Sequence, residues 1–256
     1  MKFKQDTVGD IIESESQMIL HGSECYGEYF INASEFNGLF NDFIKSMDDP
    51  AKFISMAFIF QIEKYLTLAL FSAIRRHHIQ ANMNLRYVIE AAQWAAYAMG
   101  NEEEGKFYDK DKNGFISVED KHEKAMYKWL DENFKVKADE TKRLKKMISG
   151  AGAHSNITYA FQNFEMKPIE DPGFRTTFFD PENDYWIKTD LWFVANTAMG
   201  LLDLFYGVNQ KYKVFKFIDD FGPRFKTLVD QNNRLKAEMM ETENYKKVKS
   251  MIKTDL

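Results

Sequence analysis

Apolar positions recur at helical spacing along most of the chain. Phe36, Leu39, Phe40 and Phe43 predict a short helix over Glu35–Met47, capped by Ser34. Asp48-Asp49-Pro50 ends that helix and opens the next, with the carboxylates favourably placed near the new amino end. Ala51 to Ile79 reads as one long helix. Phe53, Ala57, Phe60, Lys64, Thr67 and Phe71 sample one side of it, and Glu63, Lys64, Arg75 and Arg76 mark its wetter places. A third helix, Met83 to Met99, is apolar nearly all round apart from Arg86, Glu90 and Gln93, which predicts a central position.

Beyond Gly100 the character changes. A charged stretch with Gly105 and Gly114 reads as a loop, and helices resume over Val118–Phe134 and Ala138–Ser149. Gly150-Ala151-Gly152 interrupts before a further helical stretch, Ala153–Phe164, and Lys167–Pro172 forms a turn. Phe174–Phe179 and Asp184–Ile187 predict a hairpin across Asp180-Pro181-Glu182-Asn183. A long apolar helix, Thr189–Asn209, and a polar one, Pro223–Lys249, complete the chain. No repeat and no flexible linker divides it. The expected fold is mainly α: a single helical-bundle domain of about seven helices, with a core over roughly residues 35–210, a polar C-terminal helix over 223–249 and a short β-hairpin excursion near 174–187.

Composition agrees. Thirteen Gly and five Pro in 256 residues are too few for a turn-rich all-β chain, and 45% apolar residues exclude disorder. The net charge of −5 comes from interspersed acids and bases, with no extended basic face, which disfavours a nucleic-acid partner. A lone Cys25 supplies neither an intrachain disulfide nor a zinc site. Met1–Asp10 is too polar for a secretory signal. Gln61, Glu63 and Lys64 interrupt the apolar run Phe53–Ile74, while Phe193–Val208 is short and holds Asn196 and Asp203. The expectation is a cytoplasmic protein away from membranes, engaging a protein partner or itself.

One loop has metal-binding spacing. From Asp109 to Asp120 the chain runs close to the calcium loop of EF-hands, which presents hard oxygens at positions 1, 3, 5, 7, 9 and 12. Here those are Asp109, Asp111, Asn113, the Phe115 carbonyl, Ser117 and Asp120, with Gly114 at the sharp turn and Ile116 at the apolar eighth position. Asp120 in place of Glu has a shorter arm, which weakens Ca2+ and suits the smaller Mg2+. Gly100 and Gly105 make a poor entering helix. The alternative is an ordinary polar turn, built from the residue types turns require.

A second candidate lies in the helical core. Arg86 and Glu90 stand at i and i+4, where they share a helix face and can pair, and His154 with Asn156 follows the Gly150 interruption. They form either a satisfied core ion pair or a small polar pocket between helices. Other histidines offer less. His77 and His78 are adjacent and point to different sides, and His122, between Glu119 and Glu123, reads as part of a solvated charged face.

The stretch Phe71–His78, Leu85–Ala92 with its Arg-x-x-x-Glu opening, and Ile148–Asn156 together resemble uncharacterised bacterial all-helical families and, more distantly, the HEPN class of helical domains. The resemblance covers about residues 50–210. Ribonuclease members of that class carry Arg, four to six residues, then His, and the pair acts on the RNA 2′-hydroxyl and scissile phosphate. His154 matches the His position, but Ser149 stands where the Arg belongs, and Ser cannot supply a positive fork to phosphate. The resemblance therefore implies the scaffold without the nuclease: a non-catalytic binding or interaction protein, with a weak link to regulation or phage defence. The alternative it leaves is a ribonuclease using His154 with a displaced Arg, such as Arg86 or Arg143.

Overall fold

Thr7 opens the first helix. Its hydroxyl accepts from Asp10 N while the Asp10 carboxylate accepts from Thr7 N, a reciprocal cap at both ends of the first turn. This computed structural model describes residues 4–47, 52–150, 164–166, 174–180 and 183–247. The helices run α1 Val8–Leu20, α2 Gly22–Tyr26, α3 Glu28–Lys45, α4 Phe53–Ile74, α5 His78–Gly100, α6 Asp120–Asn133, α7 Lys135–Gly150, α8 Asp184–Tyr212 and α9 Phe221–Glu241. The expected mainly α bundle is the fold observed. The capped segment before residue 28 adds two helices to those expected, and α3 begins well before Ser34.

α5 is the hub. Ala81, Leu85, Val88, Ile89, Ala92, Ala95, Ala96 and Met99 bury it on several sides, and the alanines let α4 and α8 approach closely. Gly100 ends it under two rings: a Cβ there would stand 2.4 Å from Trp129 and 2.8 Å from Tyr212. A second region of the core is aromatic, centred on Phe43, which stacks on Phe205 at 5.3 Å and meets Phe215 at 4.1 Å.

The expected long helix Ala51–Ile79 is two helices. α4 stops at Ile74 because Arg76 turns left-handed, at φ 62°. That conformation costs a non-glycine residue about 1–2 kcal/mol, and a distant segment stabilises it. The Arg76 guanidinium donates to the Asp180 carbonyl at 2.9 and 2.6 Å, Asp180 N donates to Arg76 O, and the Asp180 carboxylate accepts from His78 N at 2.6 Å. Asp180 thereby caps α5 from a hundred residues away.

The face of α4 also differs from the expectation. Ser55, Ile59, Ile62, Leu66, Ala69, Leu70 and Ala73 are buried, whereas Phe53 is 75% and Phe60 52% exposed. An apolar stripe cannot choose a side when nearly the whole helix is apolar. By length and composition α4 and α8 could each cross a membrane, and most of α8 is buried within the fold.

The hairpin forms with a different partner. β3, Phe164–Met166, pairs antiparallel with β4, Phe174–Thr176, in the register Phe164↔Thr176 and Met166↔Phe174. Asp184–Ile187, expected as the second strand, is the first turn of α8, where Asn183 Oδ1 accepts from Tyr185 N at 3.0 Å. The other strand pair is β1, Asp109–Lys110, with β2, Ile116–Ser117.

Two sets of polar contacts fix the outer helices. α9 is sewn to α3 and α8 by Asn32 donating to Asn232 (3.0 Å), Trp192 Nε1 donating to Asn232 O (3.2 Å) and the Arg224–Asp42 ion pair (2.8 Å). The turn after α8 is held by buried Asn209, which accepts from Phe215 N and donates to Phe215 O, both at 2.8 Å.

Removing the Asp180 cap is expected to loosen the α4–α5 junction. Asp180→Ala should cost about 1–2 kcal/mol, lowering Tm by roughly 2–6 °C, with native far-UV circular dichroism below the transition. An unchanged Tm would show that the cap does not hold the junction.

Candidate functional site

In the loop with metal-ligand spacing, two of the carboxylates are engaged by the protein itself. Asp111 Oδ1 accepts from Asn113 N (2.8 Å) and Phe115 N (2.9 Å), Asp111 N donates to the Phe115 carbonyl, and Gly114 takes φ 84°. This is an Asx turn closing a hairpin in which Asp109 lies opposite Ser117. Asp109 Oδ2 accepts from Lys121 Nζ at 2.6 Å and meets His122 Nε2 at 3.0 Å, and these bonds hold its carboxyl below the usual carboxylate range. Asp120 starts α6, and Phe115 and Ile116 are exposed. Among the described residues, no three His, Cys, Asp or Glu side chains come together as a metal group.

His122 differs from its expected place on a solvated face. It is buried at 4% exposure, with Nδ1 facing the Lys106 carbonyl (3.2 Å) and Nε2 facing Asp109. Its role is to fasten the β1–β2 hairpin to α6. The charged neighbours Glu119 and Glu123 hid this in the sequence.

Arg86 and Glu90 do pair, at 3.2 Å, and recruit α7. Lys145 Nζ lies 2.9 Å from Glu90 Oε1, Arg86 Nη1 donates to Ser149 Oγ at 3.4 Å, and Lys145 also donates to the Tyr127 hydroxyl. Burial pushes the Glu90 carboxyl up, but the Lys145 ammonium and Arg86 guanidinium outweigh it, and the group sits below its ordinary value. One turn on, Gln93 donates to Thr141 on α7. His154 and Asn156 lie outside the described residues.

His77 and His78 take separate partners, as their adjacency requires. His77 Nε2 meets Glu15 of α1 at 2.9 Å, and Glu15 also pairs with Arg75. His78 Nδ1 meets Asp190 of α8 at 2.7 Å. Burial raises the Asp190 carboxyl above the usual carboxylate range, and the bond and charge of His78 work against that rise. Neither contact was legible in the sequence, because Glu15 and Asp190 lie 62 and 112 residues from their histidines.

An open concavity lies elsewhere. α7 and α9 both rest on α8, and between them opens a cleft of about 410 Å3. α8 supplies its floor with Asn196, Met199, Gly200 and Asp203, successive positions on one helix face. Glu140, Thr141, Arg143, Leu144 and Met147 of α7 make one wall, and Phe225 and Val229 of α9 the other. The size lies within the range of small-molecule sites, and the lining is largely apolar with few polar groups.

Charge in the cleft is unevenly matched. Lys137 Nζ contacts the Asp203 carboxylate and lies 3.5 Å from Glu140. Burial pulls its ammonium down, but those two acids outweigh it and hold it above its ordinary value. Arg143 has nothing comparable. Among the described arginine side chains, Arg75, Arg76, Arg86, Arg224 and Arg234 each reach an acceptor, whereas Arg143 has neither a hydrogen bond nor an ion pair. In the sequence, Arg143 stands out only as a candidate stand-in for the missing nuclease arginine. The cleft itself is spread over three helices, each with ordinary core periodicity.

Comparison with protein-family models, curated proteins and solved structures gives no match.

The Glu90 network makes a pH prediction. A carboxyl depressed in the folded state stabilises above its unfolded pKa, about 4.3, and loses that contribution as pH falls through the folded value. Glu90→Gln should lower Tm at pH 7 by an amount corresponding to about 1 kcal/mol. The gap from wild type should narrow steadily toward pH 3. A gap independent of pH would show that the carboxylate's charge does not hold α7.

Proposed function

We propose that this chain is a non-catalytic helical binding protein whose ligand site is the cleft between α7, α8 and α9. The observation that carries the reading is Arg143, a solvent-exposed guanidinium that no protein acceptor holds, on the wall of an open, mainly apolar cleft. A charged group left unpaired beside apolar surface gains most when a ligand supplies both the counter-charge and the apolar cover. The HEPN-like resemblance is consistent with this reading, because Ser149 stands at the nuclease arginine position and its hydroxyl accepts from Arg86.

Gly200 provides the test. A Cβ there meets only Leu144 Cδ2, at 3.7 Å, an ordinary contact, so a larger side chain projects into the cleft without displacing backbone. Gly in a helix interior also costs about 0.5–1 kcal/mol relative to most residues, so Gly200→Phe should keep or raise Tm. The probe is N-phenyl-1-naphthylamine, a neutral fluorophore that brightens in apolar sites. Wild type is expected to bind it saturably at one site, and Gly200→Phe to lose that binding with its helicity intact. Equal binding by the two proteins would place the site elsewhere. Cleavage of structured RNA that disappears in His154→Ala would overturn the non-catalytic reading.

A further inference from the structure

Resting on the cleft as the ligand site, we infer that its ligand is an amphiphilic monoanion: a single carboxylate-like head bound by Arg143, with an unbranched apolar body of medium length lying along α8. The head follows from the charges. Lys137 is already engaged with Asp203 and Glu140, which leaves Arg143 as the cation in the cleft that a ligand can reach without breaking an ion pair. A guanidinium is a planar fork matched to two oxygens of a carboxylate.

The two acids limit the charge. Glu140 and Asp203 line the same cleft, and a doubly charged phosphate monoester would bring a second negative charge toward them. One negative charge balances Arg143, and a second has no partner. A cationic head would leave the guanidinium unpaired and add repulsion to it.

The body follows from the shape. The α8 floor runs from Asn196 to Asp203, about 10 Å of helix. Leu144, Phe225 and Val229 line the walls beside that length, Met199 is part of the floor, and Gly200 in its middle leaves room for a chain to lie flat. An acyl chain of about ten carbons fits this length and volume. Met147 and Met199 can adjust to it, since thioether side chains adapt to irregular apolar shapes.

The experiment is displacement of N-phenyl-1-naphthylamine by decanoate, decanol and decylammonium, in wild type and in Arg143→Gln. Decanoate is expected to compete about fivefold or more better than decanol in wild type, with decylammonium weakest. In Arg143→Gln the advantage of decanoate should fall to within about twofold while decanol is unchanged, and in wild type it should shrink as salt is raised. If decanol matches decanoate in wild type, or Arg143→Gln keeps the full preference, the anion inference fails and the cleft reading stands. If none of the three displaces a probe whose binding Gly200→Phe abolishes, the amphiphile inference fails and the cleft reading stands; if Gly200→Phe binds the probe as wild type does, the cleft reading itself fails.

Discussion

The cleft exists because α7 and α9 are fastened to different helices. α7 is held to α5 by three polar contacts spaced along both helices: Arg86 with Ser149, Glu90 with Lys145, and Gln93 with Thr141. α9 is held to α3 by Asn32 with Asn232, Arg234 with Glu28, and Arg224 with Asp42. Both also rest on α8, but neither set of bonds draws one wall toward the other. Their separation is therefore a property of the buried and half-buried polar pairs, which have one good geometry, rather than of apolar packing, which tolerates sliding. In this account the Arg86–Glu90 pair acts on function from a distance. It touches no ligand and sets the position of the wall that carries Arg143.

Much of the fold was legible. Helical periodicity locates α6 and α7 closely, α5 and α8 begin earlier than expected, at His78 and Asp184, α9 ends at Glu241 rather than Lys249, and the near-absence of charge on Met83–Met99 marks α5 as the centre. Two of the failures share a cause: local pattern was overruled by a partner far along the chain. The α4–α5 break depends on Arg76 meeting Asp180, and the buried side of α4 depends on which neighbours reach it. The strand expected at Asp184–Ile187 was overruled by a local signal, the Asn183 cap. Thr7 and Asp10 carry a similar capping signal that was readable and unread.

The site was less legible than the fold. The Arg86–Glu90 pair follows from i, i+4 spacing alone, but nothing in spacing reveals that Lys145 completes it. The Asp109–Asp120 pattern has ion-loop spacing, and what that spacing does not reveal is that Asp111 bonds its own loop backbone and Asp109 meets Lys121 and His122. Arg143 shows the reverse case. Its sequence context, among Lys142, Lys145 and Lys146, is an ordinary solvated face, and its interest lies in standing on the cleft wall with no protein acceptor while Lys142 reaches Asp131 and Lys145 reaches Glu90. An absence of that kind is a three-dimensional fact.

Locating a bound ligand tests the central claim most directly. A decanoate analogue with a photoreactive diazirine midway along its chain, crosslinked to the folded protein and mapped by peptide mass spectrometry, reports the residues beside the apolar body. The account predicts adducts on α7 and α8 near Met147 and Met199 and on α9 near Phe225, suppressed by excess decanoate. Adducts concentrated instead on the exposed side of α4, at Phe53 and Phe60, would contradict it, because they would place the ligand away from the α7–α8–α9 cleft and from Arg143.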